Sequence, residues 1–120
     1  MIRQLLLVGL GGGIGSMARW LIQRWLTAFY PHAYPLGTWI VNIAGCFLIG
    51  LFWGRLRDAS LDWKSLLMPG LCGGFTTFSA FTLESMGLLK QNKPGLFFLY
   101  IAASVIVGLA ATYAGMKLSR

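Results

Sequence analysis

The chain has 120 residues, 57% of them hydrophobic and 11% charged, with a mean hydropathy of +0.69. A soluble domain averages roughly a quarter charged residues, and a core this small cannot hide so much apolar surface, so the composition excludes an ordinary water-soluble globule. Three acids (Asp58, Asp62, Glu84) against ten Lys and Arg give a net charge of +7.

A basic balance can mark a nucleic-acid surface. Here the cations are not massed on one face. They punctuate the chain as Arg3, Arg24, Arg55, Arg57, Lys64, Lys90, Lys93, Lys117 and Arg120, the placement of membrane-flanking charges, so no nucleic-acid partner is expected. No Asp, Glu, Lys or Arg occurs in Leu5–Ala18, Trp25–Gly54, Ser65–Leu83 or Pro94–Met116. About 20 apolar residues cross a bilayer as a helix. The expected fold is an all-α membrane protein, one domain over residues 1–120, with four transmembrane helices at about 4–28, 37–56, 65–90 and 95–117. The first span holds Arg19, which lies inside the membrane or snorkels from it. The first apolar run lacks a small-x-small cleavage site and reads as a span, not a cleaved signal.

The first span carries Gly9, Gly11, Gly12, Gly13, Gly15 and Ser16. The pairs Gly9/Gly13, Gly11/Gly15 and Gly12/Ser16 let helix backbones approach closely. Gly13–Ala18 also fits G-x-G-x-x-A, but a dinucleotide loop needs an acid about 20 residues on, and the next acid is Asp58, 40 residues past Ala18. The dinucleotide reading is rejected. Tyr30-Pro31-His32-Ala33-Tyr34-Pro35 then reads as a turn at the interfacial aromatic belt, with His32 a solvated loop residue.

The second span places Thr38, Asn42, Cys46, Gly50 and Gly54 four residues apart, one stripe of small and polar groups. A membrane Asn either lines a wet pathway or bonds a neighbouring helix and holds the bundle together; the stripe alone leaves both open. Residues 57–64 form the most polar connection. Cys46 and Cys72, 26 positions apart and both within spans, read as two buried thiols and not a disulfide or zinc set.

The third span is the unusual one. Pro69-Gly70 is followed by Gly73-Gly74-Phe75-Thr76-Thr77-Phe78-Ser79-Ala80-Phe81-Thr82, a poor continuous helix. Broken backbone at membrane depth must be buried in protein or line a cavity. Its freed carbonyls suit hard cations and its freed N–H groups suit anions, so this segment is the foremost ion-site candidate. Phe78, Phe81 and Ser85 share a helical face with Thr82. Glu84 ends the uncharged run and is expected near the interface, paired with Lys90 or a basic residue of another helix. Gln91–Gly95 forms a tight polar turn. The fourth span repeats the small-polar device with Tyr100, Ser104, Gly108 and Thr112. A membrane Ser or Thr often bonds only its own i−4 carbonyl, yet hydroxyls one turn apart can also ladder a pathway.

Taken in order, these features resemble the Fluc/CrcB family of fluoride channels. The resemblance runs the whole chain: a Gly-rich first span ending in Arg19, Gly37-Thr38-x-x-x-Asn42 opening the second, and Gly73-Gly74-Phe75-Thr76-Thr77-Phe78-Ser79-Ala80-Phe81 matching a G-G-x-T-T-F-S-x-F signature. It implies a fluoride-selective channel in the cell (inner) membrane, built as an antiparallel, dual-topology homodimer with the broken third helices crossing at its centre. It further implies a structural, non-transported Na⁺ held by the backbone carbonyls of Gly73 and Thr76. Asn42, Phe78, Phe81, Ser79, Thr82, Tyr100, Ser104 and Thr112 would line the fluoride pore, with Arg19 at the aqueous vestibule. Gly108 stands where many members carry a hydroxyl, a gap in the fourth-span ladder.

Two other classes fit the sequence less well. A small multidrug-type exporter needs a carboxylate deep in its first helix, and this one has Arg19 and no acid. A non-transporting assembly subunit would not require Asn42 and the hydroxyl tracks together. An enzyme is not expected, since no nucleophile–base pair is visible. Arg3, Arg55, Arg57, Lys64, Lys117 and Arg120 fall on one side, against Arg24, Lys90, Lys93 and Arg19. Six against four is a weak orientation bias that permits dual insertion.

Overall fold

The computed structural model describes residues 1–30 and 33–119. The readings of His32 as a loop residue and of Arg120 as a flanking charge lie outside the described residues. The charge-poor stretches are helical over most of their described residues, because in lipid the backbone must satisfy its own polar groups. Helix α1 spans Ile2–Phe29 and α2 spans Leu36–Arg55. The third span is segmented: α3 (Leu61–Ser65), a π-helical stretch (Leu66–Cys72), α4 (Gly73–Phe75) and α5 (Phe78–Lys90). Helix α6 spans Pro94–Leu118. Four helical stretches, Ile2–Phe29, Leu36–Arg55, Leu61–Lys90 and Pro94–Leu118, are long and apolar enough to cross a membrane.

The boundaries follow local chemistry. Pro94 opens α6 at a position where its missing N–H costs nothing, and Asn92 makes the preceding turn with φ 59°, a left-handed conformation that Asn tolerates. The third span begins at Leu61, four residues before its expected start, after an extended Ser60 (ψ 160°) and with Asp62 in its first turn. The π-helical stretch, absent from the sequence expectations, contains Pro69. Proline has no N–H for the i−4 carbonyl, and the ladder widens around it.

Glycine contacts lock the bundle. A Cβ on Gly11 would run into the Leu66 carbonyl, one on Gly15 into the Leu71 carbonyl, and one on Gly74 into the Gly12 carbonyl. Thus α1 lies backbone to backbone against the third span, as the small-residue pairs predict. Gly50 meets Thr112 and Gly115 meets Phe47 in the same way, joining α2 to α6. Gly9 and Gly13 meet nothing within 4 Å, so that pair is not used inside the chain. Val41, Cys72, Leu88 and Tyr100 form the buried core, while Leu5, Leu6, Trp20, Trp25, Leu83, Phe98 and Leu109 are exposed. Such an outward apolar surface needs lipid or protein around it.

Gly15→Ala is expected to destabilise the fold by about 1–3 kcal/mol, the usual cost of overpacking, because a Cβ there meets backbone atoms that cannot swing aside. Gly95→Ala, in α6 at a site with nothing within 4 Å, is expected to leave stability unchanged or raise it slightly. Thermal unfolding of the two variants in detergent compares them directly.

Candidate functional site

The break in the third span is two residues long. Thr76 (φ −93°, ψ 157°) and Thr77 (φ −147°, ψ 123°) are extended between α4 and α5. One side chain of α2 occupies the gap: Asn42 Oδ1 accepts the Thr77 N–H at 2.8 Å, and Asn42 Nδ2 donates to the Thr77 carbonyl at 3.0 Å. The amide pairs with Thr77 as a neighbouring strand would. Thr77 then caps α5, its hydroxyl accepting the Ala80 N–H at 3.2 Å.

These bonds decide which carbonyls are released. In a continuous helix the Thr77 N–H would serve the Gly73 carbonyl and the Ala80 N–H would serve Thr76. Both donors are taken, by Asn42 and by the Thr77 hydroxyl. Gly73 and Thr76 therefore lose their helical partners, and two neutral carbonyl oxygens of this kind suit a hard cation. Gly74 has a different partner, because Arg19 Nε donates to its carbonyl at 3.1 Å. Arg19 Nη1 also reaches Gln23 Oε1 at 3.5 Å.

Beside the break lies a cavity of about 430 Å³, lined by Asn42, Cys46, Cys72, Thr76, Thr77, Phe78, Phe81 and Ser104 among others. Among the described residues no charged side chain lines it. Most membrane hydroxyls bond their own helix, as Ser85 does to the Phe81 carbonyl at 2.7 Å. Ser104 does not: its buried hydroxyl has no partner among the described residues. The rings of Phe78 and Phe81 lie 5.8 Å apart, Phe81 and Tyr100 5.1 Å, and Tyr100 and Tyr34 5.4 Å. Ring edges are electropositive, so amide, hydroxyl and ring edges together make a neutral, anion-compatible lining.

The aromatic file leads to a wider cavity of about 920 Å³ lined by Trp20, Gln23, Arg24, Tyr34, Thr38, Ala80 and Glu84 among others. Glu84 is placed differently from its expectation. It accepts from Thr38 Oγ1 at 2.6 Å and from the Tyr100 hydroxyl at 3.3 Å, and its bonds go to these hydroxyls, not to Lys90. Its position on α5 turns it inward onto α2 and α6, where those donors stand. Among the residues lining this cavity, burial and then the neighbouring Tyr30 push the Tyr34 phenol above its usual value.

Not every sequence-nominated residue reaches a cavity in the single chain. The Thr112 hydroxyl donates to the Cys46 carbonyl at 3.1 Å in the α2–α6 seam. A Cβ at Gly108 would stand 3.4 Å from Cys46 Sγ, so this gap in the ladder lies where the helices abut. Ser79 and Thr82 are exposed, with Thr82 donating to the Ser79 carbonyl at 2.9 Å. Phe78 is 76% exposed, which leaves its ring on the outer surface as well as the cavity wall. Gln23 escaped the sequence reading. Its one available signal was its place one turn after Arg19.

The fold and site define a small multi-pass membrane protein whose third span is interrupted at depth and splinted from α2. Residues 6–116 match the family model described as "CrcB-like protein, Camphor Resistance (CrcB)", and the chain belongs to the CrcB family. It is 44% identical over 116 residues to the "Fluoride-specific ion channel FluC" of Flavobacterium psychrophilum, covering 94% of each chain. It is 42% identical over 120 residues to the protein of the same name from Rhizobium etli, covering 98% of this chain and 96% of the relative. For the Gloeothece citriformis protein of that name the identity is 44% over 119 residues, with 96% and 95% covered.

Asn42→Leu is expected to cost about 2 kcal/mol or more, since it strands the N–H and carbonyl of Thr77 away from water. Asn42→Gln keeps both the donor and the acceptor and is expected to lose less. Denaturant unfolding in detergent ranks the two variants.

Proposed function

We propose that the chain forms a fluoride-selective channel, which in a bacterium would sit in the inner membrane and let fluoride leave the cytoplasm passively. The observation that carries this reading is the uncharged cavity at the break, where Asn42, Ser104, Phe78 and Phe81 converge and the Ser104 hydroxyl is unspent. Fluoride is small and strongly hydrated, so a pathway must replace water's hydrogen bonds with other donors. Neutral donors do this without trapping the ion as a fixed cation would. The names of relatives at 41–44% identity support the choice of anion.

The pathway we assign starts in the wide cavity lined by Gln23, Arg24, Thr38 and Glu84; Arg19 stands behind it, bonded to Gln23 and to the Gly74 carbonyl. The pathway passes Thr38, Glu84 and Tyr100, and follows the aromatic file to Phe81, Phe78, Asn42 and Ser104. Ser79, Thr82 and the outer side of Phe78 are exposed in one chain, which suits completion of the lining by a second, antiparallel copy. Thr112 would act on this pathway only at a distance, through the α2–α6 seam. The carbonyls of Gly73 and Thr76, stripped of their helical donors, fit a structural Na⁺ shared between two copies, and such an ion would add positive potential near the pathway.

One observation favours a second reading. Glu84 is a carboxylate bonded inside the bundle, and a carboxylate at depth is what a proton-coupled exporter uses. The two readings separate in liposomes. The channel reading expects fluoride to leave faster than chloride with no proton gradient applied, and expects Phe81→Ile to slow it by at least about tenfold, one edge interaction's worth of barrier. Equal permeation of the two halides contradicts it, as does flux that requires a proton gradient. The cation proposal expects a cation between the Gly73 and Thr76 carbonyls in an experimentally determined dimer, and a well-resolved dimer without one contradicts it.

A further inference from the structure

Between Arg19 and Glu84 runs a relay of side chains whose hydrogen-bond directions can be worked out from chemistry alone. Arg19 Nη1 meets Gln23 Oε1 at 3.5 Å, Gln23 Nε2 meets Thr38 Oγ1 at 2.9 Å, and Thr38 Oγ1 meets Glu84 Oε1 at 2.6 Å. Guanidinium has donors and no acceptor. The amide oxygen of Gln23 must therefore face Arg19, which turns the amide NH₂ toward Thr38. A threonine hydroxyl has one proton and can accept from other directions. Accepting from Gln23, it gives its single proton to Glu84. Each link leaves the next only one choice.

The backbone holds the relay in place. A Cβ at Gly37 would stand 3.0 Å from Gln23 Cα and 3.3 Å from its carbonyl oxygen, so the glycine lets the start of α2 approach α1 closely, and a side chain there would push the two apart by a few tenths of an ångström. Arg19 is itself tied to the Gly74 carbonyl at 3.1 Å, which references the relay to the broken span. Gln23, Thr38 and Glu84 all line the wide cavity.

We propose that Gln23 is a positioning residue for the permeation site: its amide, oriented by Arg19, directs the Thr38 proton onto Glu84 and so holds the carboxylate against Tyr100. This rests on the channel reading above. Without Gln23 the Thr38 hydroxyl still faces the carboxylate but loses the donor on its other side, so Glu84 keeps a weaker and less firmly held donor on its α2 side. Chained hydrogen bonds also strengthen one another, so Thr38 is a better donor with Gln23 behind it.

The test is fluoride efflux from liposomes holding the full chain, in a cycle of Gln23→Met with Thr38→Val and Thr38→Ser. Methionine keeps the length and bulk of glutamine without its hydrogen bonds. Gln23→Met is expected to slow efflux about fivefold, the rate equivalent of one net side-chain hydrogen bond. The same factor is expected on Thr38→Ser, which retains the hydroxyl, and no further slowing on Thr38→Val, which lacks it. If Gln23 only packs α1 against α2, its effect multiplies on all three backgrounds, and the proposal is overturned. Unchanged efflux in Gln23→Met, with fluoride-selective efflux in the parent, overturns it too. A parent without fluoride efflux overturns the channel reading itself and this role with it. Gln23→Leu replaces the methionine variant in the same cycle should that one not fold.

Discussion

The membrane-depth break depends on one pairing, the amide of Asn42 with the backbone of Thr77. Interrupting a helix in lipid strands N–H and carbonyl groups, each at a cost of several kcal/mol. A single carboxamide, with a donor and an acceptor side by side, answers both groups of one residue. Because it takes the Thr77 N–H, the Gly73 carbonyl is left over, and because Thr77 then caps α5, so is that of Thr76. The released oxygens follow from the splint and need no separate cause.

The same economy extends outward. The close passage of α1 over the third span, through Gly11, Gly12, Gly15 and Gly74, brings Arg19 to the Gly74 carbonyl. From there Gln23, Thr38 and Glu84 follow in turn. Helix α6 contributes Tyr100 to this chain and Ser104 to the cavity, while its lower half is spent on packing against α2 through Thr112 and Gly115. Polarity inside the bundle is thus divided. Some groups hold helices together, and a few, Ser104 foremost, are left with capacity to spare.

Much of the fold was legible in the sequence because lipid imposes a simple rule: stretches without charge become spans. The break was legible too, since adjacent Gly and Thr pairs oppose a helix at Gly73–Ser79. Its narrowing to Thr76 and Thr77 was not, because α4 survives on packing against α1 that no local propensity reveals. Pro69 announced a disturbance but not its π-helical form, which depends on how neighbouring helices let the ladder widen. Asn42 carried two open readings. The splint supplies the bundle-holding one, and its place on the cavity wall keeps the other available. The partners of Glu84 were not foreseen because they lie 46 and 16 residues away in sequence, and spacing along one helix cannot see hydroxyls arriving from two others. The hydroxyl spacing of α6 likewise could not say that Ser104 faces a cavity and Thr112 a seam.

In the proposed channel, neutral donors at the break select fluoride over larger halides. The most direct test of this selection is the reversal potential of the purified protein in a planar bilayer, with fluoride on one side and chloride on the other. The expected potential lies at the fluoride limit, with current carried by fluoride alone. A potential near zero, or one that follows chloride, would contradict it.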